Sequence, residues 1–88
     1  MNNLNEQIER ATAIIDEVFG YGITEEDVSS TNDTVQMWID QWGAPDDTRE
    51  GDGWHGYEWN KLQARKGEPR FNLIIVDFGG EYRFITQM

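Results

Sequence analysis

The sequence predicts an α+β fold in which two N-terminal helices pack in two layers on an antiparallel β-meander of three or more strands. Three observations predict it. Apolar residues near the N-terminus recur at three- and four-residue steps, a run of β-branched and aromatic residues fills Phe71 to Phe78, and Gly79-Gly80 separates that run from a second one.

Leu4, Ile8, Ala11, Ile15, Val18 and Phe19 share one helical face, so the first helix is expected over about residues 3–19, with Ile14 widening the stripe. Glu6, Glu9, Arg10, Asp16 and Glu17 occupy the solvent face, and Gly20 with Gly22 supplies a stop. Ile23 to Ser30 is compatible with a short strand, a helical turn or a loop. The second helix is expected from Asp33 to Trp42, with Thr31 or Asn32 as N-cap. Val35, Trp38, Ile39 and Trp42 form its apolar face. It ends at Gly43-Ala44-Pro45, because proline disfavours helix at the residue before it. Asp46 to Gly53 reads as a solvated loop. A strand is expected at Tyr57 to Gln63, followed by a turn over Arg65 to Pro69. Phe71 to Phe78 is apolar on both faces, which is the mark of a central strand. Gly79-Gly80 suits a two-residue hairpin, since both glycines tolerate the positive φ angles it requires, and Glu81 to Thr86 returns beside the central strand. The 88 residues form one domain with room for one core.

Charge is the most unusual property of the chain. It holds 17 acidic and 7 basic residues, and the imbalance is confined to one half. Met1 to Asp47 carries eleven acids against the single base Arg10, whereas Thr48 to Met88 carries six of each sign. A field of that sign repels nucleic acid and anionic membranes and attracts basic surfaces. The expected partner is therefore a protein with a basic surface, with no direct binding to nucleic acid or membrane. Cysteine is absent, no apolar run reaches the ~18 residues of a membrane span, and the start lacks the pattern of a secretory signal. These features point to a bacterial host cytoplasm.

Catalytic chemistry has few candidates. His55 is the only histidine, and a nucleophilic pair would require Ser29 or Ser30, the only serines, to reach it. Asp46 to Gly53 resembles a calcium loop in composition, but Arg49 interrupts it and its twelfth position is Tyr57 where a bidentate glutamate is required. No enzyme activity, metal or cofactor is expected. Trp38 and Trp42 fall on the apolar face of the second helix. Trp54 and Trp59 flank a glycine-rich segment and are candidate exposed anchors for a partner. Arg65, Lys66 and Arg70 form a small basic cluster that reads as a solvated turn paired with Glu68.

Met1-Asn2-Asn3-Leu4-Asn5-Glu6-Gln7-Ile8-Glu9-Arg10-Ala11-Thr12 and the closing Leu73-Ile74-Ile75-Val76-Asp77-Phe78-Gly79-Gly80-Glu81-Tyr82-Arg83 resemble the small acidic bacteriophage inhibitors of uracil-DNA glycosylase. The resemblance covers the two ends, about a third of the chain. It implies an acidic edge strand after the first helix that imitates DNA, and an apolar pocket beside the second helix that captures an intercalating side chain of the enzyme. By position the edge is Ile23 to Val28, with Glu25 or Glu26 as the central carboxylate, and the pocket draws on Val35, Met37, Trp38 and Ile39. Asp27, Asp33, Asp40, Asp46 and Asp47 extend the acidic row. The implied function is a DNA-mimicking inhibitor of a DNA-binding enzyme. Inhibition of another nucleic-acid machine, of anti-CRISPR or anti-restriction type, uses the same acids, while an interaction or immunity module would rely on exposed aromatics.

Overall fold

The computed structural model describes residues 3–87, with side chains from Glu6 onward. Met1, Asn2, Met88 and the side chain of Leu4 in the expected first helix lie outside the described residues. The order is helix α1 (Asn3–Glu17), a 3₁₀ turn (Glu25–Asp27), strand β1 (Ser29–Thr31) and helix α2 (Val35–Trp42). Strands β2 (Asp47–Gly51), β3 (Trp54–Leu62), β4 (Phe71–Asp77) and β5 (Tyr82–Gln87) follow. The strands make one antiparallel sheet in the order β1-β5-β4-β3-β2, with β4 at its centre. This is the α+β class expected, with five strands. No described helix is long and apolar enough to cross a membrane.

The layering differs from the expectation. Successive β4 side chains point to opposite faces of the sheet, and Leu73, Ile74, Ile75 and Val76 are all buried. Both faces therefore need a cover. Ile74, Val76 and Ile85 pack under α1 with Ala11, Ile14, Ile15 and Val28. Leu73, Ile75 and Trp59 pack on the other face against Val35, Trp38, Ile39 and Trp42 of α2. One helix covers each face, so the arrangement has three layers and not two.

The two covers are unequal. α1 buries Ala11 and Ile15 completely, whereas no residue of α2 is buried. Trp38 lies tilted on Phe84 with ring centroids 5.6 Å apart, and Trp42 meets Phe71 edge-on at 5.8 Å. The indole N–H groups of both tryptophans have no acceptor among the described residues, which weakens the hold on α2.

Element boundaries move for local reasons. Helix α2 starts at Val35, later than Asp33, because the Thr34 hydroxyl caps it by accepting the Met37 N–H at 3.2 Å. Thr31 is occupied in β1 and accepts the Asp33 N–H instead. The β4–β5 turn is as expected: Gly79 and Gly80 have φ of 81° and 107°, and the Phe78 N–H donates to the Glu81 carbonyl at 2.8 Å.

Asp46 to Gly53 is the main correction. Asp47 to Gly51 is an edge strand paired in full with β3, and Asp52-Gly53 is the hairpin between them. Strand alternation sends Thr48 and Glu50 to one face and Asp47 and Arg49 to the other, so these oxygens do not converge on an ion. Trp54 lies over Gly51 and Gly56, where any Cβ would overlap its indole or crowd it, and Phe19 packs on Gly56 from α1's side.

Candidate acidic interface

Seven of the eleven acids of the first half, Glu25, Glu26, Asp27, Asp33, Asp40, Asp46 and Asp47, follow the chain from the β1 edge to the β2 edge, and the other four belong to α1 over the opposite face. Glu25, Glu26 and Asp27 form the exposed 3₁₀ turn that leads into the edge strand β1. They precede the strand, whereas the resemblance places the edge strand over Ile23 to Val28. The turn is held by the Asp27 carboxylate, which accepts the Thr24 N–H at 3.0 Å, and by the Asp27 N–H, which donates to the Thr24 carbonyl at 3.0 Å. Val28 points inward and is buried in the α1 core, so it is no contact residue.

From β1 the chain crosses the sheet to the opposite edge. β1 and β2 are the outermost strands, four strand spacings or ~19 Å apart, and α2 spans ~12 Å of that crossing. Asp33 stands at the start of the crossing and Asp40 on the solvent side of α2, where it accepts from Gln36 at 2.9 Å. Asp46 and Asp47 stand at its end. Asp46 accepts the Asn60 N–H at 2.6 Å, and Asp47 pairs with Arg49 at 3.1 Å. Of this row only Asp47 has an ion-pair partner among the described residues.

Arg10 does not neutralise the row. Its guanidinium donates to the Asp52 carbonyl at 3.0 Å and lies 5.2 Å from the centre of the Phe78 ring. The one base of the acidic half thus anchors the β2–β3 hairpin.

Beside the row lies the incompletely covered apolar face of α2. Val35, Trp38 and Ile39 turn to the sheet and are half-buried there, whereas Met37 lies on the opposite side of the helix and is 53% exposed, so the four do not line one pocket. At the β1 edge a depression of about 420 Å³ separates Ser30 and Asn32 from Glu81 and Tyr82 of the β4–β5 hairpin. Arg83 lines it but is only 6% exposed, donating to the Gln7 Oε1 at 2.6 Å and to the Tyr82 carbonyl at 2.9 Å.

The two tryptophans expected as exposed anchors are engaged in packing. Trp59 is 1% exposed and donates its indole N–H to the Gly43 carbonyl at 2.9 Å. Trp54 is half-buried against the hairpin glycines and the α1 core. Both sit on β3, where Gly51 and Gly56 make room for the Trp54 ring and Leu73 and Ile75 pack on Trp59.

The sequence-level catalytic pair is also separated. His55 is on β3 and the serines on β1, three strand spacings or ~14 Å apart. His55 faces Glu50 instead, at 3.2 Å, and is 59% exposed on its side chain. The basic cluster keeps its place in the β3–β4 turn, but no ion pair joins Arg65, Lys66 or Arg70 to Glu68.

Sequence reasoning missed a polar tie after α1. The Tyr21 hydroxyl donates to the Glu58 carboxylate at 2.5 Å and accepts from the Asn72 amide at 2.9 Å, joining the segment after α1 to β3 and β4. Burial, then the hydrogen bond and negative charge of Glu58, push the tyrosine pKa up to about 12. The neutral phenol is the stabilising form. Its contribution is complete below pH 10 and is lost as pH rises from 10 through about 12. Tyr21→Phe is expected to abolish that alkaline loss and to cost about 1–3 kcal/mol at neutral pH. Denaturant unfolding at pH 7 and pH 11, with tyrosinate absorbance followed in parallel, checks it. An unchanged alkaline slope in the variant would remove Tyr21 from the account.

No family model, curated protein or solved structure matches the chain.

Proposed function

We propose that the protein is a non-enzymatic, DNA-mimicking inhibitor that binds the basic DNA-contacting surface of an enzyme in the bacterial cytoplasm, with uracil-DNA glycosylase as the first target. The observation that carries this reading is the series of exposed acids from Glu25 through Asp40 to Asp46, none of which has an ion-pair partner among the described residues. Backbone pairing and a capped turn hold the acids in place, so they exchange one anionic surface for another at the partner's cations with little ordering cost. Met37, exposed on the solvent side of α2, supports an apolar contact next to those cations. The resemblance at both ends of the chain points the same way.

The test is uracil excision from duplex DNA by a purified bacterial glycosylase with increasing amounts of this protein. Inhibition is expected to be competitive with DNA and to weaken with salt, because screening acts within ~10 Å at 0.1 M. Inhibition that is absent, together with no competition against DNA for any restriction or CRISPR nuclease, would sink the reading. Inhibition of such a nuclease in place of the glycosylase moves the target and keeps the mechanism.

A further inference from the structure

The sheet face under α2 continues beyond the helix, and that end is partly exposed. Directly opposed residues of neighbouring strands share a face, so the register defines a transverse row: Glu50 of β2, His55 of β3, Asp77 of β4, Tyr82 of β5 and Thr31 of β1. The next row towards α2 holds Thr48, Tyr57, Ile75, Phe84 and Ser29. Trp38 covers Phe84 in that second row. Glu50 and His55 are exposed, and Tyr57, Asp77 and Tyr82 half-buried. A depression of about 320 Å³ opens beside Tyr57, walled by Thr48, Glu50 and His55.

This face combines an aromatic floor with two carboxylates. Glu50 and Asp77 stand in strands two spacings apart, ~10 Å, with His55 between them in the same row, 3.2 Å from Glu50, and Tyr57 one row nearer α2. Tyr57 leans towards Trp59 with centroids 6.5 Å apart, leaving its other side towards the depression. Burial first, and then the charges of Asp77, Tyr82 and Glu50, push the Tyr57 pKa up. The two carboxylates attract a cation. Asp77 uses its Oδ1 to accept the Gly80 N–H at 2.8 Å, which fixes the carboxylate and leaves the second oxygen available. Arg49 also borders the depression but points to the other face, where Asp47 neutralises it.

We propose that this partly exposed face, floored by Tyr57 and Tyr82 and flanked by Glu50 and Asp77, seats an arginine side chain of the protein partner. The inference rests on the reading above, that the partner presents a basic surface, and adds a guanidinium-selective contact outside the acidic row. Arginine suits the face better than lysine. A planar guanidinium stacks on an aromatic ring and donates in a fork to a carboxylate at its edge, whereas an ammonium is a strongly hydrated point charge. Recognition by this face would select among basic partners, which the acidic row alone attracts without distinction.

The experiment is an amide-proton NMR titration of the full chain with a short peptide bearing one arginine among neutral residues, beside its lysine counterpart. Arginine shifts are expected to centre on Thr48, His55, Tyr57, Asp77 and Tyr82, with lysine binding about two- to five-fold weaker. Tyr57→Ala and Glu50→Gln should each weaken the arginine peptide by a similar factor. Glu50 is an exposed edge-strand residue, so E50Q tests the face without disturbing the core. Shifts centred on Glu25 to Asp27, or equal affinity for the two peptides, would overturn the proposal. If E50Q leaves affinity for an inhibited enzyme unchanged while charge reversal at Glu25 and Glu26 lowers it, this inference falls and the DNA-mimic reading stands. If the peptide seats here but no DNA-binding enzyme is inhibited, the face stands and that reading falls.

Discussion

Glu25→Lys with Glu26→Lys is expected to weaken binding to the inhibited enzyme at least about 100-fold, since close charge pairs at steered interfaces are each worth about 1.5–7 kcal/mol. The expected loss has two parts. Association slows because the approaching basic surface no longer meets a concentrated negative field, and dissociation quickens because the replacing cations face the partner's own. Thermal stability should hold, since both side chains are exposed and neither makes a hydrogen bond or ion pair among the described residues. Asp27 is left in place because its carboxylate closes the 3₁₀ turn. Raising salt from about 0.1 M to about 1 M shortens the screening length from ~10 Å to ~3 Å and should narrow the gap between wild type and variant. Surface plasmon resonance at both salt concentrations measures this. Equal affinity of variant and wild type would make the acidic half a solvated surface.

The parts of the fold legible in the sequence are those whose signal is local. Phe71 to Asp77 reads as a central strand because four consecutive residues are apolar, and Gly79-Gly80 reads as its turn because two glycines meet the φ requirement. The same four residues also imply a cover on each face of the sheet, because alternation along a strand turns two of them to either side. Strand β2 is not legible by pattern. As an edge strand with most of its residues exposed, Asp-Thr-Arg-Glu-Gly has no buried face to impose alternation. Its signal lies in the turn instead, since Asp52-Gly53 is a favoured two-residue hairpin in front of Trp54. β1 is still less legible: three small polar residues become a strand only because β5 offers them an open edge.

For the candidate site, charge is legible and position is not. Glu25, Glu26, Asp33, Asp40 and Asp46 are exposed, as acids of a polar segment should be. Val28 and Trp59 read as surface residues because their neighbours in sequence are polar, yet each points into a core. In a strand the neighbour in sequence faces the opposite side, so a polar neighbour says nothing about exposure. The arginine-seating face is invisible in the sequence for the same reason. Glu50, His55, Asp77 and Tyr82 are scattered over more than thirty positions and come together only through the register.

Trp59→Ala is expected to cost about 3–5 kcal/mol, a large share of the ~5–15 kcal/mol typical of a domain. Trp59 is the largest fully buried side chain, and it unites the weaker of the two faces. Its ring fills the space between Leu73, Ile75 and the half-buried residues of α2, while its indole N–H holds Gly43 at the helix C-terminus. The alanine variant loses both, leaving α2 with few contacts to the sheet. Trp59→Phe keeps most of the apolar volume and removes the hydrogen bond, so it should cost distinctly less, about 1–2 kcal/mol. The loss should not remain on one face. Leu73 and Ile75 alternate along β4 with Ile74 and Val76, so displacing the strand on the α2 side disturbs the core under α1 through the same backbone. Far-ultraviolet and near-ultraviolet circular dichroism should therefore report one coincident transition at a lower melting temperature. Two separated transitions would mean that α2 and its face unfold independently.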